Sequence, residues 1–216
     1  MHRRLLAGLA CLGAWTVLTG CSQSTLAGWQ TVAQAWRPPA APDLAEVPLD
    51  PALRYLRVRV GSKVGLMVQA GGPEGPWYGA DGVVLRLRDG RLVGFADERR
   101  SWTEVGHSGW PAPHASDSLL PRRGHLIADL QPGHRYGLHQ SHVWVDLPDA
   151  PPGHDWQGDT RGLRWRMARP DAPDAATTWY AIDTRRQPAE VVYGRQCLDL
   201  DPAVGPTCIT WQRWPR

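Results

Sequence analysis

The sequence has little net charge, few cysteines and a single phenylalanine, and these shortages narrow what the protein can be. Its formal charge is +3 over 216 residues, and this falls to +1 when Arg3 and Arg4 are removed with the leader described below. Such a small charge gives no electrostatic basis for binding nucleic acid. The four cysteines argue against a thiolate metal site. Cys11 and Cys21 lie in the N-terminal leader region, so only Cys197 and Cys208 remain, which is too few for a site built from thiolates.

Motifs for catalysis are also lacking. Residues 106–109, Gly-His-Ser-Gly, begin like a nucleophile elbow, but Trp110 stands where G-x-S-x-G requires glycine. The seven histidines from His107 to His154 show no HExxH or comparable ligand spacing, and we interpret them as loop residues on a solvated surface. A glycosidase needs two carboxylates facing each other across a groove. Nothing in the sequence pairs two of the candidate acids, which are Asp81, Asp97, Glu98, Asp146 and Asp183. We therefore expect a protein that is not an enzyme and has neither cofactor nor metal.

The N-terminus has the pattern of a bacterial lipoprotein signal. Arg3 and Arg4 precede an uncharged apolar run over residues 5–18, which is too short for a permanent membrane span. The run ends in Leu-Thr-Gly-Cys, which looks like a lipobox whose Cys21 is lipidated and begins the mature chain. The alternative is an ordinary secretory signal or membrane anchor in which Cys21 has no role. Ser22 replaces the aspartate typical of inner-membrane retention, which favours the periplasmic face of the outer membrane.

Three segments follow from this interpretation. Residues 1–20 are the signal peptide, and the remaining 196 residues suffice for one domain. Residues 21–50 hold the lipidated N-terminus, a short amphipathic helix over residues 25–36 and a Pro/Ala linker. Residues 51–216 are predicted to form a single β domain.

Alternating apolar and polar residues predict that this domain is all-β and antiparallel. Two strands sharing one apolar face are expected from Leu56, Val58 and Val60, followed by Val64, Leu66 and Val68. A two-residue turn at Gly61-Ser62 would place Val60 opposite Lys63 on that face. We therefore expect a bulge or a longer turn there.

The next hairpin is predicted around Asp89-Gly90, a pair typical of a type I′ turn. This turn sets three pairs, which are Leu87 with Leu92, Val84 with Phe95, and Arg88 with Arg91. Since like charges opposite each other are destabilising, the two arginines must be solvated or have acidic neighbours.

The rest of the chain predicts further short strands. They are expected at residues 126–130, 136–147, 163–167, 179–183, 191–200 and 207–211, whereas residues 99–124 are expected to be mostly irregular. Cys197 and Cys208 fall in the last two strands and predict a disulfide in an oxidising compartment. Such a bridge is worth roughly 3 kcal/mol in the chain-entropy model. The alternative is two unpaired buried thiols.

Eleven of the twelve tryptophans lie beyond the signal peptide. Trp suits interfaces and sugar-stacking surfaces because it combines a large apolar area with a polar N–H. We select Trp77, Tyr78, Trp144 and Trp179 as a candidate binding face, with a packed aromatic rim as the alternative. Asp81 and Gly82 are predicted to form a turn rather than a catalytic site.

Two stretches resemble a known family. Residues 77–82, Trp-Tyr-Gly-Ala-Asp-Gly, and residues 89–93, Asp-Gly-Arg-Leu-Val, resemble the W-x-x-x-D-G and G-R-l-v hairpin of the YjbF/GfcB family of bacterial lipoproteins. Residues 179–183 and 191–196 resemble its aromatic strand and its closing S-x-Q strand, with Gly194 in place of the usual serine. The resemblance implies an outer-membrane lipoprotein from an exopolysaccharide or group-4-capsule operon. It implies an antiparallel meander curled into a half-barrel or barrel-like sheet, and it assigns no catalytic residues.

The partners implied by the resemblance are a periplasmic protein, an outer-membrane β-barrel protein and a polysaccharide export channel. We therefore expect a lipoprotein that assists polysaccharide assembly or secretion by non-catalytic binding of the polymer or of a secretion partner. One alternative is a periplasmic polysaccharide-modifying hydrolase, which requires a cleft with paired acids and a raised pKa. Another is a lipid or lipoprotein carrier, which requires an unfilled apolar cavity.

Overall fold

A computed structural model describes residue 44 and residues 48–111, 121–172, 175–198 and 207–214. The chain divides into two units, Met1–Pro42 and Asp43–Arg216, and the described residues all belong to the second. Cys21 and the helix predicted over residues 25–36 lie outside the described residues. Within the described ranges, no helix has the length and apolar character needed to cross a membrane.

The predicted all-β architecture is confirmed by twelve strands. They are β1 (Tyr55–Val60), β2 (Lys63–Gln69), β3 (Trp77–Gly79), β4 (Val84–Arg88), β5 (Arg91–Ala96), β6 (Ser101–Ser108), β7 (Arg122–Gln131), β8 (Arg135–Leu147), β9 (Leu163–Pro170), β10 (Thr178–Asp183), β11 (Glu190–Leu198) and β12 (Thr207–Trp214). Each strand pairs antiparallel with the next, and β12 pairs with β1. The expected meander therefore closes into a barrel, which leaves no strand at a free edge of the sheet order.

The Asp89-Gly90 hairpin forms as predicted at its tip, but its strand pairing differs from the prediction farther from the turn. Asp89 and Gly90 have φ angles of 51° and 73°, as a type I′ turn requires. Leu87 pairs with Leu92, but Phe95 pairs with Leu85 rather than with Val84. The cause is a bulge that leaves Val93 unpaired, so that Leu92 and Phe95 both enter the core despite their odd spacing.

The turn between β1 and β2 contradicts the sequence expectation. Val60 pairs directly with Lys63 across a two-residue turn, with no bulge. Lys63 lies at the end of the ladder and is exposed, so its ammonium group stays in water beside a half-buried Val60. In this register Met67 points into the barrel, and Val64, Leu66 and Val68 point outward.

Two strands were not expected from the sequence. β3 has only three residues, which is too few to establish a period of two. In β6 the alternation is interrupted by a register shift between Glu104 and Gly106, which leaves Val105 56% exposed. Residues 99–124 were predicted to be mostly irregular, but β6 and the start of β7 lie in this region and form part of the barrel wall.

The main core fills the interior of the barrel with aromatic side chains. Four tryptophans are among its most buried members, namely Trp77, Trp102, Trp144 and Trp211. Strands β5 and β11, on opposite sides of the ring, meet across it: Gln196 Nε2 donates to the Leu92 carbonyl oxygen at 3.1 Å. Gly90 packs on Val191 so closely that a Cβ at position 90 would lie 2.2 Å from the valine Cβ. Among the described residues, side chains fill the part of the interior where a lipid carrier would need an apolar cavity.

A second cluster lies on the outer surface of β9, β10 and β11. It contains Trp165, Ala181, Val192 and Tyr193, with Trp156 from the loop before β9 packed against it. Asp155 of the same loop accepts a hydrogen bond from Tyr193 Oη at 2.9 Å and lies 3.2 Å from Arg59 Nε. The loop therefore covers an outer apolar area that would otherwise be exposed.

The predicted disulfide is confirmed. Cys197 and Cys208 lie opposite each other in the β11–β12 register and are bonded. The bridge joins the last two strands of the meander next to the position where β12 closes the barrel on β1.

Candidate functional site

The four residues predicted as a binding face do not form one exposed surface. Trp77 and Trp144 are each 1% exposed and belong to the core. Trp179 is half-buried, and the Arg195 guanidinium carbon lies 4.5 Å from its ring centroid. Tyr78, at 49% exposed, is the one member that is open to a partner.

Asp81 and Gly82 form a turn in the structure. The Gly82 amide donates to the Gly79 carbonyl oxygen at 3.2 Å, and Gly82 has a φ angle of 78°. The Gly79 amide in turn donates to the Val83 carbonyl oxygen at 2.8 Å. These bonds connect β3 to β4 and set the direction in which Tyr78 points.

Tyr78 is part of a row of outward-facing apolar side chains that crosses five strands. We call this the outer row, and its members, in cross-strand order, are Trp214, Tyr55, Val68, Tyr78 and Val84. Each is a neighbour in sequence of an inward-facing residue, as Trp77 and Leu85 are for Tyr78 and Val84. Because adjacent strands lie about 4.8 Å apart, the row is about 20 Å long.

The outer row offers apolar contact and few hydrogen-bonding groups. Its valines are half-buried, and its aromatic members sit on β12, β1 and β3. The Tyr55 hydroxyl already accepts a hydrogen bond from the Asp50 amide at 3.0 Å. Beyond Val84, Arg86 and Arg88 continue the outer face of β4 and are exposed. The surface is therefore an apolar strip with basic side chains at one side.

A second site lies inside the barrel, and we call it the polar pocket. Its lining includes Arg91, Glu104, His107, Gln140, His142, Trp144, Thr178, Tyr180 and Gln196. These side chains surround a cavity of about 30 Å³ that is partly open to solvent, enough for one or two water molecules. The pocket thus places polar groups from five strands, β5, β6, β8, β10 and β11, next to the aromatic core.

An ion pair balances the charge of the polar pocket. Arg91 donates two hydrogen bonds to Glu104, from Nη2 at 2.7 Å and from Nε at 3.2 Å. Both side chains are nearly buried, at 8% and 4% exposed. The sequence left two possibilities for Arg91, solvation or an acidic neighbour, and this pair shows the second. Glu104 comes from β6, the strand that sequence periodicity did not indicate.

Two histidines stack beside this ion pair. The rings of His107 and His142 lie 5.3 Å apart at 24° to each other. Burial, together with the positive charge of Arg91 and the neighbouring His142, lowers the pKa of His107 to about 3. Burial, His125 and Arg91 lower the pKa of His142 to about 4. Both rings are therefore neutral at pH 7, and the expectation that they lie on a solvated surface is wrong.

Tyr180 and Gln196 form the opposite wall of the pocket. Tyr180 Oη donates to Gln196 Oε1 at 2.7 Å, and burial raises the pKa of this tyrosine. Trp110 packs edge-on against Trp144 and Tyr180, with ring centroids 4.8 and 5.0 Å away. Among the described residues, no group of three or more His, Cys, Asp or Glu side chains is arranged to hold a metal ion.

Sequence analysis missed these residues for three reasons: an interrupted strand, a strand whose buried face could not be predicted, and the closure of the barrel. His107 and Glu104 belong to the interrupted strand β6, and His142 lies on the more polar face of β8, which turns out to face inward. Tyr55 and Trp214 are distant in sequence and become neighbours when the barrel closes. The alternation of β8 was visible, but nothing in it indicated which face would be buried.

Comparison with known proteins identifies little. No family model matches the chain, and no curated protein matches it. Among solved structures, the hypothetical lipoprotein YmcC from Escherichia coli (K12) is similar, with 13% sequence identity and a TM-score of 0.48. The match covers 76% of this chain and 85% of the other.

Proposed function

We propose that this protein is a non-catalytic lipoprotein, anchored through Cys21 at the periplasmic face of the outer membrane, that docks a partner protein of exopolysaccharide or capsule secretion. The outer row is the observation that carries this proposal. It is a contiguous apolar strip containing Tyr78 at 49% exposed, and aromatic side chains are enriched at protein interfaces. In this proposal the chain is a divergent relative of the YjbF/GfcB lipoproteins.

The composition of the row favours a protein partner over a polymer. Two of its five members are valines, and the Tyr55 hydroxyl is already bonded within the chain. A sugar chain needs hydrogen-bonding groups beside the aromatic rings, whereas the centre of a protein interface is mainly apolar and aromatic, with its polar groups around the rim. The exposed Arg86 and Arg88 beside the row favour a partner with acidic residues around its apolar patch.

A row about 20 Å long supplies the centre of an interface rather than its whole area. A stable interface buries about 800 Å² on each partner, with the apolar contacts concentrated in its middle. Tyr78, in the interior of the row, is therefore the expected anchor of the contact.

The proposed absence of catalysis is supported by how the acidic residues are used. Asp146 accepts a hydrogen bond from Arg166 at 2.8 Å, and Glu104 is held by Arg91. The hydrogen bond from Arg185 keeps the pKa of Asp183 below its usual value. A glycosidase needs an acid with a raised pKa, and these carboxylates are instead paired with arginines.

A site-specific crosslinking experiment tests the proposal. A photoreactive phenylalanine analogue replaces Tyr78 in cells that make the polysaccharide, and the matched control places it at Tyr136, which is 63% exposed on the β7–β8 hairpin. We expect one defined protein adduct from position 78 and none of that size from position 136. Tyr78→Asp is expected to lower exported polysaccharide several-fold at unchanged protein level.

Three results would overturn this proposal. Equal adducts from positions 78 and 136 would show that the row has no specific role. Crosslinks to polysaccharide instead of protein would establish the polymer as the ligand. Release of new reducing ends from the polymer by the purified protein would make it a hydrolase.

The anchoring part of the proposal has a separate test. Burial of acyl chains contributes about 0.8 kcal/mol per CH₂, so a multiply acylated cysteine holds a protein on a membrane. Cys21→Ser is expected to move the protein from the membrane fraction to the soluble periplasmic fraction. An unchanged membrane fraction would contradict lipidation at Cys21.

A further inference from the structure

The polar pocket contains buried polar atoms without partners. The His107 side chain is 6% exposed, and neither of its ring nitrogens has a hydrogen-bond partner within the part of the chain that the structure describes. The same holds for His142 Nε2 and for Trp144 Nε1. Because it is unfavourable to leave a buried polar atom unpaired, four such atoms in one pocket together point to a bound polar molecule.

Two of these atoms pack closely against Gly124, beside the polar pocket. A Cβ at this position would lie 2.5 Å from His142 Nε2 and 3.0 Å from Trp144 Nε1. It would also lie 2.8 Å from the Ser108 carbonyl oxygen. The two nitrogens and this oxygen therefore crowd the inner face of Gly124, and any side chain at this position would displace the His142 and Trp144 rings.

The chemistry of these groups favours an uncharged ligand that both donates and accepts hydrogen bonds. A neutral imidazole offers one N–H donor and one acceptor nitrogen, and an indole N–H only donates. The Arg91 charge is already matched by Glu104 at 2.7 Å, so an added carboxylate would meet a carboxylate as well as a guanidinium. A hydroxyl group meets these requirements without desolvating a charge.

The size of the cavity limits how much of the ligand enters. About 30 Å³ is space for one or two non-hydrogen groups rather than a whole sugar ring. Because the cavity is partly open, the rest of the ligand would lie at its mouth, near Gln140, Pro170 and Thr178. A hydroxymethyl group attached to a larger ring has this shape.

We propose that the polar pocket is a separate binding site that takes the hydroxymethyl end of an uncharged saccharide unit, held by His107, His142 and Trp144. The site lies inside the barrel, whereas the outer row lies on its exterior, so each proposal stands or fails on its own. A saccharide bound here is recognised by its terminal group and not along its length.

Ligand-observed NMR with a matched pair of sugars tests this inference. Saturation-transfer experiments on the full-length lipoprotein in detergent compare the methyl glycosides of glucose, galactose and mannose with methyl glucuronide, methyl galacturonide and methyl mannuronide. Glucoside and glucuronide, like galactoside and galacturonide, differ only in carrying CH₂OH or a carboxylate at C6. We expect saturable binding of at least one neutral glycoside, strongest saturation at its C6 protons, and at least ~10-fold weaker binding of its uronide.

Two substitutions locate the site. Gly124→Ala would push the His142 and Trp144 rings, which line the pocket, out of their positions, and its control Gly106→Ala meets only ordinary contacts with Ile127 at 3.7–4.0 Å. His107→Phe keeps a ring against His142 while removing both nitrogens, and it serves if Gly124→Ala does not fold. We expect both test variants to lose at least ~10-fold in affinity and the control to bind normally.

Several outcomes would overturn the inference. These are no binding by any of the three neutral glycosides, a uronide that binds as well as its neutral counterpart, or strongest saturation away from C6. Unchanged binding by the folded His107→Phe variant would place the ligand elsewhere on the protein. Adducts from Tyr78 are unaffected by any of these results, so failure here leaves the docking proposal intact.

Discussion

Trp77 and Tyr78 are neighbours in the sequence and lie in opposite environments. Trp77 is 1% exposed inside the barrel, where it pairs with Leu85 and where Arg213 lies 5.2 Å from its ring centroid. Tyr78 is 49% exposed on the outside, between Val68 and Val84. The comparison shows that strand parity places one ring in the core and its neighbour on the outside of the barrel, where it stays exposed unless a loop covers it, as one covers Trp165 and Tyr193.

The inner face is itself divided. Most of it is apolar, but the polar pocket places Arg91, Glu104 and two histidines within the same wall. Interior polar groups depend on each other because water cannot replace a lost partner, whereas exterior polar groups exchange partners with solvent. An ion pair or an aromatic ring should therefore contribute more to the free energy of unfolding on the inner face of the sheet than on the outer face.

The largest expected effect contrasts the two neighbouring aromatic residues. Trp77→Ala removes a fully buried ring and should lower the free energy of unfolding by about 3–5 kcal/mol. Tyr78→Ala, on the outer face, should change it by about 0.5 kcal/mol or less. Urea denaturation of both variants measures the contrast. Comparable losses from the two substitutions would show that the outer face is packed rather than available.

A smaller effect contrasts two ion pairs. Glu104→Gln leaves the Arg91 charge buried without its carboxylate and should cost about 3 kcal/mol. Asp171→Asn removes the partner of Arg123, a pair whose side chains are 43% and 61% exposed, and should cost about 1 kcal/mol or less. Thermal denaturation at fixed pH and ionic strength compares them. The distinction between the faces would be broken if the exposed pair proved the more costly to remove.

The third contrast is a pH dependence confined to the interior. His107 and His142 have pKa values lowered to about 3 and about 4 by burial and by nearby positive charge. The unfolded chain therefore binds more protons than the folded chain below pH about 6.5, so stability falls as the pH is lowered from there. Arg91 and His125 strengthen this effect on His142, and Asp171 opposes it.

The measurement is the melting temperature between pH 6.5 and about 5.5, a range in which ordinary carboxylates stay largely ionised. The double variant His107→Phe/His142→Phe should lose less of its melting temperature over this interval than the unchanged chain. His134→Phe is a matched surface control, because His134 is exposed on the β7–β8 hairpin. Equal pH slopes for all three proteins would contradict the burial of neutral histidines.

Much of the fold was predictable because its signals are local. Alternation in β1 and β8, the Asp89-Gly90 turn and the placement of Cys197 and Cys208 each depend on residues close in sequence. The bulge at Val93 and the turn before Lys63 were not predictable, because both are selected by which side chains fit the barrel interior. Less of the candidate sites was predictable, since the outer row and the polar pocket draw residues from many strands.

The sequence by itself determined the alternating strands of an antiparallel β meander, the type I′ turn at Asp89-Gly90 and the positions of the two cysteines in the last two strands. Local backbone preferences and a period of two suffice for these features. Only the tertiary structure decided that the meander closes, that Trp77 and Trp144 face inward and that Tyr55 meets Trp214. A strand pattern defines two faces but not which one is buried, and that choice is made when all twelve strands pack around one interior.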